Sequence, residues 1–139
     1  MQPAPELEQQ VGRLYQALSS GDFATLERMI SAQADVLVIG TDPQEWWEDR
    51  AHFLASMRRR MQEMGTGIPV VASTPRAYSE GAIGWVADRA RYQLPNGGEY
   101  PFRATFVFRR EDGAWRLIQW HVSFAVRNED VQREAAPAG

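Results

Sequence analysis

Two histidines, a few carboxylates and a basic complement made only of arginine are the groups from which this chain can build chemistry. His52 and His121 are the only imidazoles, and all 15 basic residues are arginine. His121 stands two residues before Ser123, a spacing that puts both on one face of a strand. No acid stands beside them to orient the ring, so a Ser–His nucleophile is weakly supported and an outward-facing pair is the better reading. Arg89 is the most informative cation, able to hold a carboxylate by charge-assisted hydrogen bonds or to lay its stem over an aromatic ring. Asp42 and Glu45, three apart behind Pro43, have the spacing of a helix cap rather than of an acid–base pair. Arg58, Arg59 and Arg60 span most of a helical turn and read as solvated surface.

What is missing narrows the chemistry further. There is no cysteine, so disulfides, thiolate zinc sites, iron–sulfur clusters and a cysteine nucleophile are excluded. There is no lysine, which removes Schiff-base chemistry and the Walker A lysine. Two histidines cannot make a three-histidine zinc site, and neither a metal nor another cofactor is expected. At a net charge of -3 the chain carries no basic signature for nucleic acid. Residues 1–8 lack the basic end and apolar run of a signal peptide, and the longest apolar run, Val36 to Ile39, is four residues, against the roughly 20 a membrane helix needs. A cytoplasmic protein is the expectation.

The elements that must position these groups follow from periodicity. Leu7, Val11, Leu14, Tyr15 and Leu18 form a helical stripe with Pro5 in its first turn. Ser19-Ser20-Gly21 breaks it, and Asp22 caps a second helix presenting Phe23, Leu26, Met29 and Ile30. Asp35 to Thr41 is a short buried strand. A long helix is expected from a cap at Asp42 to about Met64, with Phe53, Leu54, Met57, Met61 and Met64 inward. The remainder reads as strand: Ile68 to Tyr78, broken by Pro69 and Pro75; Ala82 to Leu94; Tyr100 to Arg110; and Ala114 to Val126. Residues 127–139 are a polar tail expected to fray, leaving one domain over 5–126. Helices followed by an antiparallel meander make an α+β fold with the helices on one side of the sheet.

Strand parity decides which side chains see the helices. A two-residue Asn96-Gly97 turn places Arg91 opposite Phe102, Arg89 opposite Ala104, Ala87 opposite Phe106 and Trp85 opposite Phe108. A three-residue loop with Gly113 left-handed then pairs Phe106 with Ile118 and Ala104 with Trp120. The helix-facing side would carry Phe102, Phe106, Phe108, Ile118, Trp120, Val122 and Phe124. The other side would carry Asp88, Arg103, Thr105, Gln119, His121 and Ser123, among Val86, Val107, Leu117, Tyr92 and Trp115. That mixture of polar and apolar groups suits a subunit interface.

Several segments resemble the SnoaL-like domains of the nuclear-transport-factor-2-like superfamily. They are the Ser20-Gly21-Asp22 break, the strand Val36-Leu37-Val38-Ile39-Gly40, the run Asp42-Pro43-Gln44-Glu45-Trp46-Trp47 and the ending Trp115-Arg116-Leu117-Ile118-Gln119-Trp120-His121-Val122-Ser123. The resemblance implies a cone-shaped α+β fold, a curved sheet wrapped round a long helix, a pocket between them, and a homodimer through the sheet's outer face. That interface would use Asp88, Arg103, Thr105, Gln119, His121 and Ser123. The pocket would be lined by Leu14, Tyr15, Trp46, Trp47, Trp85, Arg89, Ala104, Phe106, Ile118, Trp120 and Val122. Superfamily chemistry does not transfer directly. The tyrosine and two acids of the ketosteroid isomerases fall near Leu14, Gly40 and Ala104, with Tyr15 one position from the first. Arg89 and Asp88, the nearest match to the arginine–aspartate set of the limonene epoxide hydrolases, are sequence neighbours and point to opposite faces. The expected function is binding of a small organic molecule, anionic if Arg89 anchors it. The alternatives are a cofactor-free isomerase, lyase or cyclase using Tyr15 and Arg89, and an association module with a residual pocket.

Overall fold

The computed structural model describes residues 1–65 and 67–138, so Gly139, the last residue of the expected tail, lies outside the described residues. Helix α1 (Pro5–Ser20) starts with proline in its first turn and acidic Glu6 and Glu8 near its positive end, and Gly21 closes it in the left-handed conformation (φ 71°). Its stripe of Leu7, Val11, Leu14 and Tyr15 is buried. In α2 (Phe23–Met29) the Asp22 carboxylate accepts from the Thr25 N–H at 3.1 Å and the Thr25 hydroxyl at 2.7 Å, capping the helix.

The third helix departs from expectation. It runs Arg50–Met64, capped by Asp49, whose carboxylate accepts from the His52 N–H at 2.8 Å. Residues 42–45 instead close a tight turn between β2 (Leu37–Ile39) and β3 (Trp46–Trp47). The capping groups are used, but on a hairpin: Glu45 Oε1 accepts from the Asp42 N–H at 2.8 Å and Asp42 Oδ1 from the Gln44 N–H at 3.0 Å. Two consecutive tryptophans favour the pleated pairing Val38↔Trp47 and Ile39↔Trp46 over a first helical turn.

An open sheet is built from β1 (Gln2–Pro3), β5 (Arg76–Glu80), β6 (Ile83–Gln93), β7 (Glu99–Glu111), β8 (Ala114–Ser123), β2 and β3, in the spatial order β1-β5-β6-β7-β8-β2-β3, with the short β4 (Val70–Val71) beside β6. All pairings are antiparallel except β2 with β8. The helices gather on one face, as an α+β layer arrangement requires, with α1 against β5 and β6 and α2 against β8. A short α4 (Asn128–Glu134) in the tail buries nothing.

The two hairpin loops have lengths opposite to those expected. Between β6 and β7, Leu94 N–H bonds the Gly98 carbonyl at 2.7 Å and Gly97 N–H bonds the Leu94 carbonyl at 2.9 Å. This is a three-residue loop, Pro95-Asn96-Gly97, with Gly97 at φ 86°. A two-residue Asn96-Gly97 turn would need an N–H from Pro95 to close the ladder, and proline has none. Between β7 and β8, Asp112 (φ 51°) and Gly113 (φ 81°) form a two-residue turn with both central residues left-handed. The phase error this would give is absorbed by a β-bulge: Val107 pairs with Gln119 but Phe108 with Leu117, leaving Ile118 extra.

A one-residue slip turns every side chain of β6 over. Val86, Asp88 and Ala90 are buried against the helices, while Ala87, Arg89 and Arg91 are exposed and Trp85 is half-buried on the outer side. In β8 the bulge keeps Trp120 and Val122 inside and also brings in Trp115 and Leu117, both expected outside.

Candidate ligand site

Between α3, the β2–β3 hairpin and the far end of the sheet lies a cavity of about 270 Å³. Its apolar wall includes Val38, Trp47, Phe53, Met57, Met61, Trp120 and Val122. Met57 and Met61 are one turn apart on α3, the spacing that stacks side chains on one helix face. Trp47 meets Phe53 edge-on at 5.3 Å between ring centroids, Phe53 meets Trp120 at 6.1 Å, and Trp120 stacks on Phe106 at 5.6 Å. The aromatic contacts continue through Tyr15 and Phe102 to Tyr92, which stacks on Phe102 at 4.2 Å and returns to the cavity wall.

The polar side chains of Thr41, Glu45, Arg60 and Tyr92 interrupt that wall. Arg60, the last of the three consecutive arginines, bonds Glu45 Oε2 through Nη2 at 2.9 Å. Glu45 is held in place because Gly40 has no side chain: a Cβ there would lie 2.7 Å from the Glu45 Cβ. Tyr92 is half-buried, with no hydrogen-bond partner among the described residues. Its phenol is pushed up to about 12, first by burial and then by the negative charge of Glu45, with Arg60 pulling the other way. Trp120, which lines the cavity and is only 6% exposed, has an indole N–H that is buried and without an acceptor among the described residues. A buried donor left unmatched costs about 1–3 kcal/mol, so a ligand oxygen that reached this N–H would recover much of that cost.

A second polar cluster lies deeper and is closed. Asp88 Oδ2 accepts from the Tyr15 hydroxyl at 2.7 Å and the Ser73 hydroxyl at 2.8 Å, and Oδ1 accepts from the Thr74 N–H at 2.8 Å. Burial, then the hydrogen bond to Asp88 and its negative charge, push the Tyr15 phenol far above its ordinary value. With its proton committed to Asp88 and no contact with the cavity, Tyr15 is placed as part of the core.

The expected pocket residues therefore separate. Trp47, Trp120 and Val122 line the cavity. Leu14, Tyr15, Ala104 and Phe106 are buried in the core beside it. Arg89 and Trp85 are turned outward by the β6 register. Trp46, expected inside, is 63% exposed and hydrogen-bonds Glu48, because it alternates with the inward Trp47. Ile118, also expected inside, is the half-buried extra residue of the bulge. On the outer face are Arg103, Thr105, Gln119 and His121, all exposed, with Ser123 half-buried. Asp88, expected among them, is inside. The polar lining residues outside the expected set are Thr41, Glu45, Arg60 and Tyr92, and the α3 residues Phe53, Met57 and Met61 join them. Arg60 had a readable signal: it falls seven residues after Phe53, on the apolar face of α3 rather than away from it.

No described helix is long and apolar enough to cross a membrane, and no group of three potential metal ligands occurs among the described residues. No curated protein matches the chain. Solved structures do. An NTF2-like protein of unknown function from Pseudomonas putida KT2440 is 21% identical over 91% of this chain and 89% of that one, with a TM-score of 0.73. A candidate dehydratase of the NTF2-like family from Streptomyces avermitilis is 20% identical over 89% and 100%, with a TM-score of 0.69. The association domain of C. elegans CaMKII is 17% identical over 86% and 93%, with a TM-score of 0.67. At these identities the likeness is one of fold, and fold alone does not carry activity. The sequence model of the SnoaL-like domain matches residues 7–127, most of the chain. This chain belongs to the SnoaL-like domain family.

Proposed function

We propose that the chain binds a compact, largely apolar organic molecule bearing an oxygen acceptor, in the cavity between α3, the β2–β3 hairpin and β8. The observation that carries this reading is a cavity wall made mostly of aromatic and aliphatic side chains, one of which, Trp120, has a buried N–H left without an acceptor among the described residues. The volume is a little below the roughly 300–1,000 Å³ common for ligand pockets, which favours a small ring system over an extended chain. An anionic ligand is less well supported, since Arg89 faces away and Arg60 already has Glu45 as its counter-charge.

Thermal-shift and calorimetric titration with a panel of aromatic and terpenoid ketones and acids tests the reading. A ketone that raises the melting temperature by mass action should lose about five- to tenfold in affinity in Trp120→Phe, which keeps a ring and removes the donor. Equal affinities would overturn the acceptor assignment, and no stabilisation by any panel member would overturn the site.

A catalytic reading has one observation in its favour. Tyr92 keeps its proton at neutral pH and faces the cavity near Glu45 and Arg60, an arrangement that could polarise a bound carbonyl in a cofactor-free isomerase, lyase or cyclase. Turnover of a bound ketone that disappears in Tyr92→Phe while binding persists would establish it. Association is supported by exposed Leu37, Trp46 and Ile83 and by the fold shared with the association domain. Sedimentation at micromolar concentration tests it, and a monomer that binds ligand would leave the cavity as the functional centre.

A further inference from the structure

The polar side chains at one end of the ligand cavity form a connected set whose bonding capacity is only partly used. Glu45 Oε1 accepts from the Asp42 N–H at 2.8 Å, and Oε2 accepts from Arg60 Nη2 at 2.9 Å. A carboxylate offers about four lone-pair sites, so Oε2 keeps a place open beside Arg60. The Glu45 side chain is 15% exposed and that of Arg60 47%, which puts this pair where the cavity meets solvent. Tyr92 lines the same cavity, and its ring is fixed by stacking on Phe102 at 4.2 Å. Its hydroxyl has no partner among the described residues, and its titration responds to the charges of both Glu45 and Arg60, so the three groups are neighbours.

A ligand that fills the cavity drives water from these groups, and each must then find its partner on the ligand or go unpaired. Their roles differ. The Glu45 carboxylate only accepts, whereas Arg60 donates, as does Tyr92, which keeps its proton at neutral pH. A ketone oxygen answers the donors but leaves an alkyl group against Glu45. A carboxylate answers the donors but sets a second negative charge against Glu45. A carboxamide presents a carbonyl and an N–H on adjacent atoms and answers both.

We propose that the molecule held in this cavity carries a neutral group with an acceptor and a donor side by side, a primary carboxamide or a lactam, at the Glu45–Arg60–Tyr92 end, a selectivity that rests on the cavity being the ligand site. Glu45 is the specificity-determining residue. Its charge rejects the carboxylate that Arg60 alone would attract, and its open lone pair favours an N–H over a methyl group. Discrimination by such a site is strong because a mismatched ligand leaves one of its polar groups unpaired.

Calorimetric titration with 2-naphthamide, 2-acetylnaphthalene and 2-naphthoate tests it, since the three differ only in the amino, methyl or oxyanion group on one acyl carbon. The amide should bind at least about tenfold more tightly than the ketone or the carboxylate. In Glu45→Gln, which keeps an oxygen for the Asp42 N–H, the naphthoate should gain at least about tenfold and the amide should lose affinity. A misfolded variant cannot give that gain. Tyr92→Phe, which keeps the ring on Phe102, should weaken amide and ketone alike by about fivefold. Equal affinities of amide and ketone, or a naphthoate that binds the native chain most tightly, would overturn the selectivity and leave the cavity standing as the site. Indifference of all three probes to Glu45→Gln would overturn it too, because the acyl group would then lie away from Glu45. Failure of all three to bind would also overturn the selectivity, whereas the site itself falls only if the wider panel of ketones and acids fails to stabilise the chain.

Discussion

The two faces of the β6–β8 meander treat charge in opposite ways, although they alternate residue by residue along the same strands. Inside, the Asp88 carboxylate has three donors to its two oxygens and is 4% exposed. Outside, its immediate neighbour Arg89 is exposed and has no side-chain partner among the described residues. Burial forces the difference. A charge removed from water must be matched by hydrogen bonds at once, whereas a charge in water can wait for a mobile partner. Saturated polar groups therefore mark the buried side of this sheet, and unpaired ones its solvent side. The Trp120 N–H, in a residue that lines the cavity, is the inner exception.

Substitution of the neighbouring pair breaks the comparison most directly. Asp88→Ala strands the Tyr15 hydroxyl, the Ser73 hydroxyl and the Thr74 N–H, and should lower unfolding stability by about 3 kcal/mol. Arg89→Ala removes an exposed side chain and should change it by no more than about 0.5 kcal/mol. Urea unfolding of both variants measures this. The reverse order would mean that β6 is turned over, with Arg89 inside.

Much of the fold was legible because it rests on local signals. The α1 stripe, the Asp22 cap, the glycine stop at residue 21 and the inward set Phe102, Phe106, Phe108, Trp120 and Val122 all follow from periodicity and capping chemistry. The β6 register was readable too, but it lay in Pro95 rather than in Asn96-Gly97: a turn motif is overruled when its flanking residue cannot donate. The bulge was not readable, since hydrophobic phase alone allows either a longer loop or an extra strand residue to carry Trp120 inward. The polar part of the cavity was the least accessible. Glu45 and Arg60 meet because α3 begins after Asp49 and the β2–β3 hairpin folds over it; the spacing of Arg60 puts it on the apolar face of α3 but names no partner for it.

The exchanged loop lengths make a second, smaller test. Gly97 and Gly113 both hold left-handed backbone, at φ 86° and 81°, where a Cβ is disfavoured by about 1–2 kcal/mol. At neither position would a Cβ meet another atom within 4 Å, so each Gly→Ala variant should lose about that much. Gly12, in the middle of α1 with the same open space around it, should gain up to about 1 kcal/mol on substitution by alanine. Denaturant midpoints of the three variants decide it: a gain at Gly97 or Gly113 would contradict the loop assignment, and a loss at Gly12 would contradict its open place in α1.

The smallest effect is spectroscopic and concerns the cavity itself. Tyr92 titrates at about 12 in the folded protein, against roughly 10 for a free phenol. Because the folded pKa is the higher one, the unfolded chain loses this proton first. The stabilisation linked to it is fully present below pH of about 10 and declines as pH rises towards 12. Tyr92→Phe should therefore lose stability less steeply than the native chain over that interval. Burial is the larger cause of the shift and the Glu45 charge the next, with Arg60 opposing. Glu45→Gln should accordingly move the Tyr92 phenolate absorbance to lower pH, and Arg60→Gln should move it to higher pH. A titration indifferent to both substitutions would mean that the Glu45–Arg60 pair does not act on the cavity, and the polar end proposed for the ligand would then reduce to the Trp120 N–H alone.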